Sequence, residues 1–138
     1  MDDVSRRILQ RLPQSAAAFC THMPVSWSLR ELDALIVDGA PICYGILMPG
    51  EDQSDGVPVV KVRDMNCGSL KRKGLLRTSK LIDQQYSRSR LKANDLLLAI
   101  RGSPGSVAVV PEELEGANIT QDTARIRLQP DRCRGYLY

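Results

Sequence analysis

A chain of 138 residues is long enough for one domain with a real hydrophobic core and too short for two cores of ordinary size. Its composition, 43% hydrophobic and 25% charged, excludes a disordered chain, and its apolar runs are far shorter than the roughly 20 residues of a membrane-spanning helix. The acidic start and the interrupted apolar stretch that follows are unlike a secretory signal, so we expect a cytoplasmic protein with no membrane partner.

The N-terminal segment predicts a short amphipathic helix over residues 3–12, because its apolar residues recur at four-residue spacing before Pro13. The weakly patterned stretch that follows is interpreted as an extra helical turn or a tether. Ser28 and Glu31 have the spacing of a capping box, which predicts a helical turn that continues to Ile36.

After a turn at residues 38–41 the pattern changes from helix to strand. Five segments are rich in β-branched residues, continuously apolar, or alternating, which is typical of strands. They are Ile42 to Leu47, Val57 to Met65, Asp95 to Ile100, Val107 to Val110 and Ala124 to Leu128. Short helices are predicted at Leu81 to Leu91 and after Pro111. Because strands and helices do not alternate regularly, the predicted fold is α+β, with a strongly curved, mostly antiparallel sheet and a few short helices.

Basic residues are concentrated in one part of the chain. The formal net charge is only +3, but the stretch from Lys61 to Lys92, called the basic segment below, has a local balance of +8. It contains two acidic residues and ten basic ones, namely Lys61, Arg63, Lys71, Arg72, Lys73, Arg77, Lys80, Arg88, Arg90 and Lys92. This concentration predicts a surface that binds a polyanion, although any one of these residues can equally be an ordinary solvated cation.

Residue sets typical of catalysis are poorly represented. The single histidine, His22, lies in a weakly structured stretch, which gives little support to a Ser-His-Asp or Cys-His arrangement. His22 and Cys20 could hold a metal only with two further ligands from distant segments. A metal-dependent nuclease is the sharpest enzymatic alternative, with an acid near Asp38 and the strand residue Lys61, but the acid expected beside that lysine is missing. We therefore predict no catalytic residue, no metal and no cofactor.

The segment Arg101 to Ser106 contains glycines that would let backbone amides approach an anion. It lacks the Gly-Lys-Ser/Thr ending and opens no convincing helix, which argues against a nucleotide-hydrolysing site. A loop that contacts DNA and a plain β-turn both remain open. The basic segment has a single aromatic residue, Tyr86, whereas proteins that bind single strands stack bases on paired aromatics. Duplex DNA is therefore the favoured polyanion.

Four segments follow one another in a recognisable order. They are Ile42 to Ile46, Gly56 to Met65, Leu91 to Gly105 and Ala117 to Ile126. In this order they resemble the DNA specificity (S) subunit of type I restriction-modification systems, although each segment alone is a weak signal. Tyr136 and Leu137 resemble the point where that family enters a long spacer helix. The resemblance divides the chain into an N-terminal helix and tether, residues 1–26, and a DNA target-recognition domain, residues 27–138, truncated where the spacer helix starts.

The resemblance implies a domain that reads double-stranded DNA without acting on it, and that directs a methyltransferase (modification) subunit and a restriction subunit to the target. It also implies that cationic side chains hold phosphates while other side chains face the major groove. Phosphate contacts are then predicted for Lys71, Arg72, Lys73, Lys80 and Lys92. Base contacts are predicted for Arg77, Ser79, Arg88, Ser89, Arg90, Arg101, Ser103 and Gln121.

The chain departs from the family plan because it has one recognition domain and no heptad-bearing helix. A second interpretation is therefore a truncated or regulatory specificity fragment that acts through protein–protein contact with the methyltransferase subunit. The apolar C-terminal end also suggests self-association.

Overall fold

The computed structural model describes residues 3–20, 24, 26 and 28–130. By its internal contacts the chain divides into two compact units, Met1–Leu35 and Ile36–Tyr138. This division lies C-terminal to the boundary predicted after residue 26. The reason is that the stretch before Leu35 belongs with the first helix, since the backbone N–H of Leu29 donates to Ser5 Oγ at 2.9 Å.

The described residues of the N-terminal unit form two short helices and a 3-10 turn. Helix α1 spans Asp3–Arg11 and helix α2 spans Gln14–Cys20. Pro13 separates them, because proline has no backbone N–H for the helical hydrogen bond and therefore interrupts a helix. The predicted first helix is confirmed, and the weakly patterned stretch after it contains a second. The helical turn predicted from Ser28 onward begins only at the 3-10 turn Leu32–Leu35, so that prediction placed its start too early.

The described part of the main unit contains nine short strands in three sheets. In chain order they are β1 Cys43–Tyr44, β2 Val57–Val60, β3 Met65–Asn66, β4 Ser69–Leu70, β5 Leu76–Thr78, β6 Leu96–Ala99, β7 Val107–Val109, β8 Asn118–Ile119 and β9 Thr123–Ile126. The first sheet has the order β1-β9-β6-β7 and is antiparallel throughout. The second has the order β5-β2-β8, in which β2 is antiparallel to β5 and parallel to β8. Strands β3 and β4 form a separate antiparallel pair.

The helical elements of the main unit are short. They are helix α3, Lys80–Gln85, and 3-10 turns at Val62–Asp64, Ser87–Ser89 and Glu112–Leu114. Helix α3 begins where it does because Ser79 Oγ accepts a hydrogen bond from the backbone N–H of Ile82 at 3.2 Å. Mixed sheets with a few short helices confirm the predicted α+β class. Within the ranges that the structure describes, every helix is too short or too polar to cross a lipid bilayer.

Residues of both larger sheets pack into one hydrophobic core. Val60 and Ile119 from the second sheet and Leu97 and Ala108 from the first are fully buried and belong to the same cluster. Full burial of a large apolar side chain contributes about 1.5–3 kcal/mol. At Gly45 the two sheets meet, since a Cβ there would lie only 1.9 Å from the carbonyl oxygen of Ile119. The first sheet is thereby placed directly against β8.

Candidate nucleic-acid interface

The charges of the basic segment are only partly neutralised. Three of its ten basic residues form ion pairs, which are Arg72–Glu113 at 2.6 Å, Lys80–Asp55 at 3.3 Å and Arg90–Asp83 at 2.5 Å. The first two pairs are exposed, and exposed pairs are worth only about 0–1 kcal/mol, so they would yield readily to a polyanion. The side chains of the other seven form no ion pair in the part of the chain that the structure describes.

A pocket of about 460 Å³ in the main unit gathers cationic side chains from two distant parts of the sequence. They are Arg88, Arg90 and Lys92 from the basic segment, and Arg125 and Arg127 from β9 and its continuation. Alternate residues of an extended strand point to the same face of a sheet, which is why both arginines reach one pocket. Glu115 is the acidic residue of the lining. We call this site the arginine pocket.

A buried carboxylate holds Arg127 in place. Nε and Nη2 of Arg127 each donate to Asp95 at 2.7 Å, and Asp95 is 1% exposed. These hydrogen bonds, together with the charge of Asp95, raise the pKa of Arg127 despite the opposing effect of its burial. Asp95 also accepts from the backbone N–H of Lys92 at 2.8 Å, and Arg127 Nη2 donates to the carbonyl of Arg90 at 3.2 Å. The pair therefore fixes the backbone that carries two cations of the pocket.

A buried polar network anchors the neighbouring segment to β8. Asp83 accepts from Arg90 at 2.5 and 2.8 Å, and these hydrogen bonds raise the pKa of Arg90. It also accepts from Nδ2 of Asn118 at 2.9 Å, while Oγ of Ser89 donates to Oδ1 of Asn118 at 2.7 Å. Ser89 is 0% exposed and has no surface to offer a base. The prediction that Ser89 contacts DNA is therefore wrong, because its hydroxyl is used inside the network.

Two arginines of the pocket have unusual surroundings. Arg125 is 1% exposed and has no acidic partner in the described part of the chain. Its Nη2 donates to the carbonyl of Pro41 at 3.0 Å and lies 3.4 Å from Sγ of Cys43, whereas Nε and Nη1 find no partner in the described ranges. The exposed guanidinium of Arg88 lies 5.8 Å from the centre of the Tyr44 ring, in cation–π geometry.

Several predicted DNA contacts lie on exposed connections outside the pocket. Lys71, Arg72 and Lys73 occupy the exposed stretch between β4 and β5, where Nζ of Lys71 donates to the carbonyl of Gly74 at 3.3 Å. Arg101 and Ser103 lie in the exposed turn that joins β6 to β7. That turn leads into a strand, so the alternative of a phosphate loop opening a helix is not supported.

Three further predicted base contacts already have roles inside the fold. Ser79 caps helix α3, and Nε of the half-buried Arg77 donates to the carbonyl of Gly56 at 3.0 Å. With its amide oriented to donate, Gln121 is 2.9 Å from the carbonyl of Ile46 and 2.7 Å from that of Leu47. Ser79 and Gln121 would have to give up structural hydrogen bonds before they could read a base, whereas Arg77 keeps its two terminal nitrogens, because only its Nε takes part in the bond to Gly56.

Sequence reasoning misses Arg125 and Arg127 as members of the site. The alternation from Ala124 to Leu128 predicts a strand, and it also places both arginines on one face, which is the signal that could have found them. Among the described residues no three His, Cys, Asp or Glu side chains lie close enough to hold a metal ion. His22, Tyr136 and Leu137 lie outside the described residues.

Comparisons with known proteins agree with the predicted resemblance. No protein-family model matches the chain. The chain is 38% identical over 104 residues to the Type I restriction enzyme EcoBI specificity subunit of Escherichia coli, an alignment that covers 75% of this chain and 22% of that protein. Its fold is similar to that of an HsdS subunit from Thermoanaerobacter tengcongensis, with a TM-score of 0.58 and 16% identity.

The structural alignment covers 96% of this chain and 32% of the HsdS chain. This chain therefore spans between about a fifth and a third of the length of the proteins it matches. The resemblance predicted from the order of the four segments is confirmed: over three quarters of its length, this chain is a domain related to part of a type I restriction-enzyme specificity subunit.

Proposed function

We propose that this chain is a sequence-specific recognition module for double-stranded DNA in a type I restriction-modification system, without catalytic activity of its own. The observation that carries the proposal is the 38% identity over 104 residues to a protein named as a specificity subunit. In this role the chain directs methyltransferase and restriction subunits to a target site. The side chains of the basic segment that form no ion pair with any described residue support it, because phosphate contacts supply a large share of the affinity of DNA-binding proteins.

Within this proposal, phosphate contact and base reading fall to different side chains. Lys71, Lys73 and Lys92 are exposed and cationic, which suits them to phosphates but not to telling one base from another. Arg101 and Ser103 lie on an exposed turn between two strands, which suits them to reach a groove. A bidentate arginine–guanine contact would contribute roughly 1–3 kcal/mol of discrimination.

Duplex binding measured against salt concentration tests the phosphate contacts. Removing one phosphate contact by substitution should reduce the slope of log K against log salt by about 0.9. Lys71→Ala and Lys73→Ala should each do so and should weaken binding to all sequences alike. Arg6→Ala, which removes an exposed cation of the N-terminal unit, serves as the matched control and should leave the slope unchanged. A wild-type slope of zero would exclude the phosphate contacts altogether.

A second candidate function is contact with another protein, in particular the methyltransferase subunit. Ile42, Tyr44, Leu47 and Met48 are large apolar residues that lie exposed along β1 and the residues flanking it, with Met48 78% exposed. Clustered apolar surface of this kind is typical of protein-binding sites. Met48→Asp should weaken binding to a methyltransferase subunit and leave duplex affinity unchanged, as calorimetry with each partner would show. Sedimentation of the chain alone tests the proposed self-association.

A further inference from the structure

Arg125 carries a charge that no acidic side chain balances within residues 28–130. It lies in β9, between β1 and β6 in the first sheet, and is 1% exposed. Buried charges in proteins are normally paired, and arginine cannot lose its proton to escape the cost of burial. Yet Nε and Nη1 of Arg125 have no hydrogen-bond partner among the residues that the structure describes, and the two buried carboxylates near the pocket, Asp83 and Asp95, are bound to other arginines.

The arginine pocket has unbalanced charge as a whole. Arg90 and Arg127 are each paired with a buried carboxylate. The remaining lining charges are the cations Arg88, Lys92 and Arg125 and the single carboxylate of Glu115, which leaves a balance of +2. The cations come from two separate segments of the chain, residues 88–92 and 125–127, which the fold brings to one pocket.

The pocket also has room for a ligand. Its volume of about 460 Å³ far exceeds the roughly 30 Å³ that one water molecule occupies in the liquid. Gly39 and Gly116 lie in its wall, and a Cβ added at either would meet nothing within 4 Å. A compact anion of one or two charges matches both the space and the balance of +2.

We propose that the arginine pocket binds one phosphate-type oxyanion, with Arg88 and Lys92 as direct ligands and Arg125 balanced by its charge. Because a charge in a low-dielectric wall acts over several ångströms, the anion offsets the cost of burying Arg125 even without a direct hydrogen bond. The phosphate is either a free ion or a backbone phosphate of DNA. Only the second source rests on the proposed function.

Thermal unfolding of the full chain in sodium phosphate, against sodium chloride at equal ionic strength, tests the pocket directly. At phosphate ten times its Kd the Tm should rise by about 5 °C. Arg125→Met should abolish this rise while leaving the Tm in chloride unchanged or higher, because it removes an unbalanced buried charge. If Arg125 were merely a structural residue, the same variant would lower the Tm in chloride and leave the phosphate response intact, which would overturn the proposal.

Exposed variants keep the test decisive if Arg125→Met does not fold. Lys92→Ala should reduce the phosphate-dependent rise in Tm, since Lys92 is an exposed cation of the pocket lining. Lys73→Ala, which removes an exposed cation outside the pocket lining, should show the full wild-type rise. Equal responses in these two variants, or the lack of any phosphate response in the wild type, would contradict the proposal.

Fluorescence anisotropy with a labelled duplex distinguishes the two sources of phosphate. If the occupant is a DNA phosphate, Arg125→Met lowers duplex affinity and reduces the salt slope by about 0.9. If the occupant is a free ion, the wild type and Arg125→Met bind the duplex equally, while the phosphate-dependent rise in Tm still differs between them. Either result supports an oxyanion in the arginine pocket. Lack of duplex binding beside an intact phosphate response would refute the proposed function and leave this inference standing.

Discussion

Replacing Arg127 by Met should destabilise the main unit by about 3 kcal/mol. The substitution removes the two hydrogen bonds of 2.7 Å that Arg127 donates to the carboxylate of Asp95. That carboxylate keeps the hydrogen bond that it accepts from the backbone N–H of Lys92 at 2.8 Å. Removing one partner of a buried ion pair costs about 3–5 kcal/mol because the other charge stays buried. The lower end applies here, because the side chain of Arg127 is 19% exposed and that of Asp95 is 1% exposed.

A double variant separates this effect from simple loss of packing. In Asp95→Asn the side chain keeps an oxygen that can accept from the N–H of Lys92 but loses the charge. The double variant Asp95→Asn/Arg127→Met should therefore lose less free energy of unfolding than the two single variants lose together, by about 1–3 kcal/mol. Because the pKa of Arg127 is raised, its contribution is complete at neutral pH and is lost only as the pH rises through that pKa in strongly alkaline solution.

Equilibrium unfolding in urea, with the midpoint and the m-value compared for all four proteins, measures these differences. A loss below about 1 kcal/mol for Arg127→Met would mean that the pair behaves like an exposed one, and an additive double variant would mean that the two side chains do not interact. Either result would mean that the Asp95–Arg127 pair does not fix the wall of the arginine pocket.

Three further predictions, the first of which has a matched control substitution, test the fold and the site. Gly45→Ala should lower the free energy of unfolding in urea by about 3 kcal/mol or more, because its Cβ would lie 1.9 Å from the backbone oxygen of Ile119. Gly105→Ala is the control, since Gly105 has a φ of +90° but open space around it, and this substitution should lower the free energy of unfolding by only about 1–2 kcal/mol. Asn118→Ala should cost about 2–4 kcal/mol and speed hydrogen exchange in the segment that its network anchors, and unchanged exchange would count against that network. Arg72→Ala should change the free energy of unfolding by less than about 1 kcal/mol yet lower duplex affinity. A larger loss of stability would contradict the small contribution expected of its exposed ion pair with Glu113.

The strands with strong sequence patterns could be predicted. Each of the five predicted segments contains or overlaps a strand, as at Leu96–Ala99 within Asp95 to Ile100, because a continuous apolar run needs burial on both sides. The β3–β4 hairpin could not be predicted from the sequence. Its turn uses Cys67 at φ 39° and Gly68 at φ 87°, and cysteine is uncommon at positive φ. Strand β8 is also absent from the predicted strands, because a polar run that begins with Asn118 resembles a turn more than a buried strand.

The candidate site was predictable in its charge but not in its arrangement. The excess of cations in the basic segment is a property of composition and needs no structure. The pairing of Asp95 with Arg127 joins residues 32 positions apart, and alternation within a strand does not indicate which face is buried or what lies against it. The wrong prediction for Ser89 has the same origin, because a serine among arginines gives no signal that it is buried.

Selection of duplexes from a random pool, followed by affinity measurement on the enriched sequence, shows whether this chain reads DNA sequence. A single bidentate contact contributes roughly 1–3 kcal/mol of discrimination, so the full chain should bind the enriched duplex at least about tenfold more tightly than a scrambled duplex at the same salt concentration. Enrichment of no sequence, or equal affinity for the two duplexes, would contradict the account of this chain as a reader of DNA sequence.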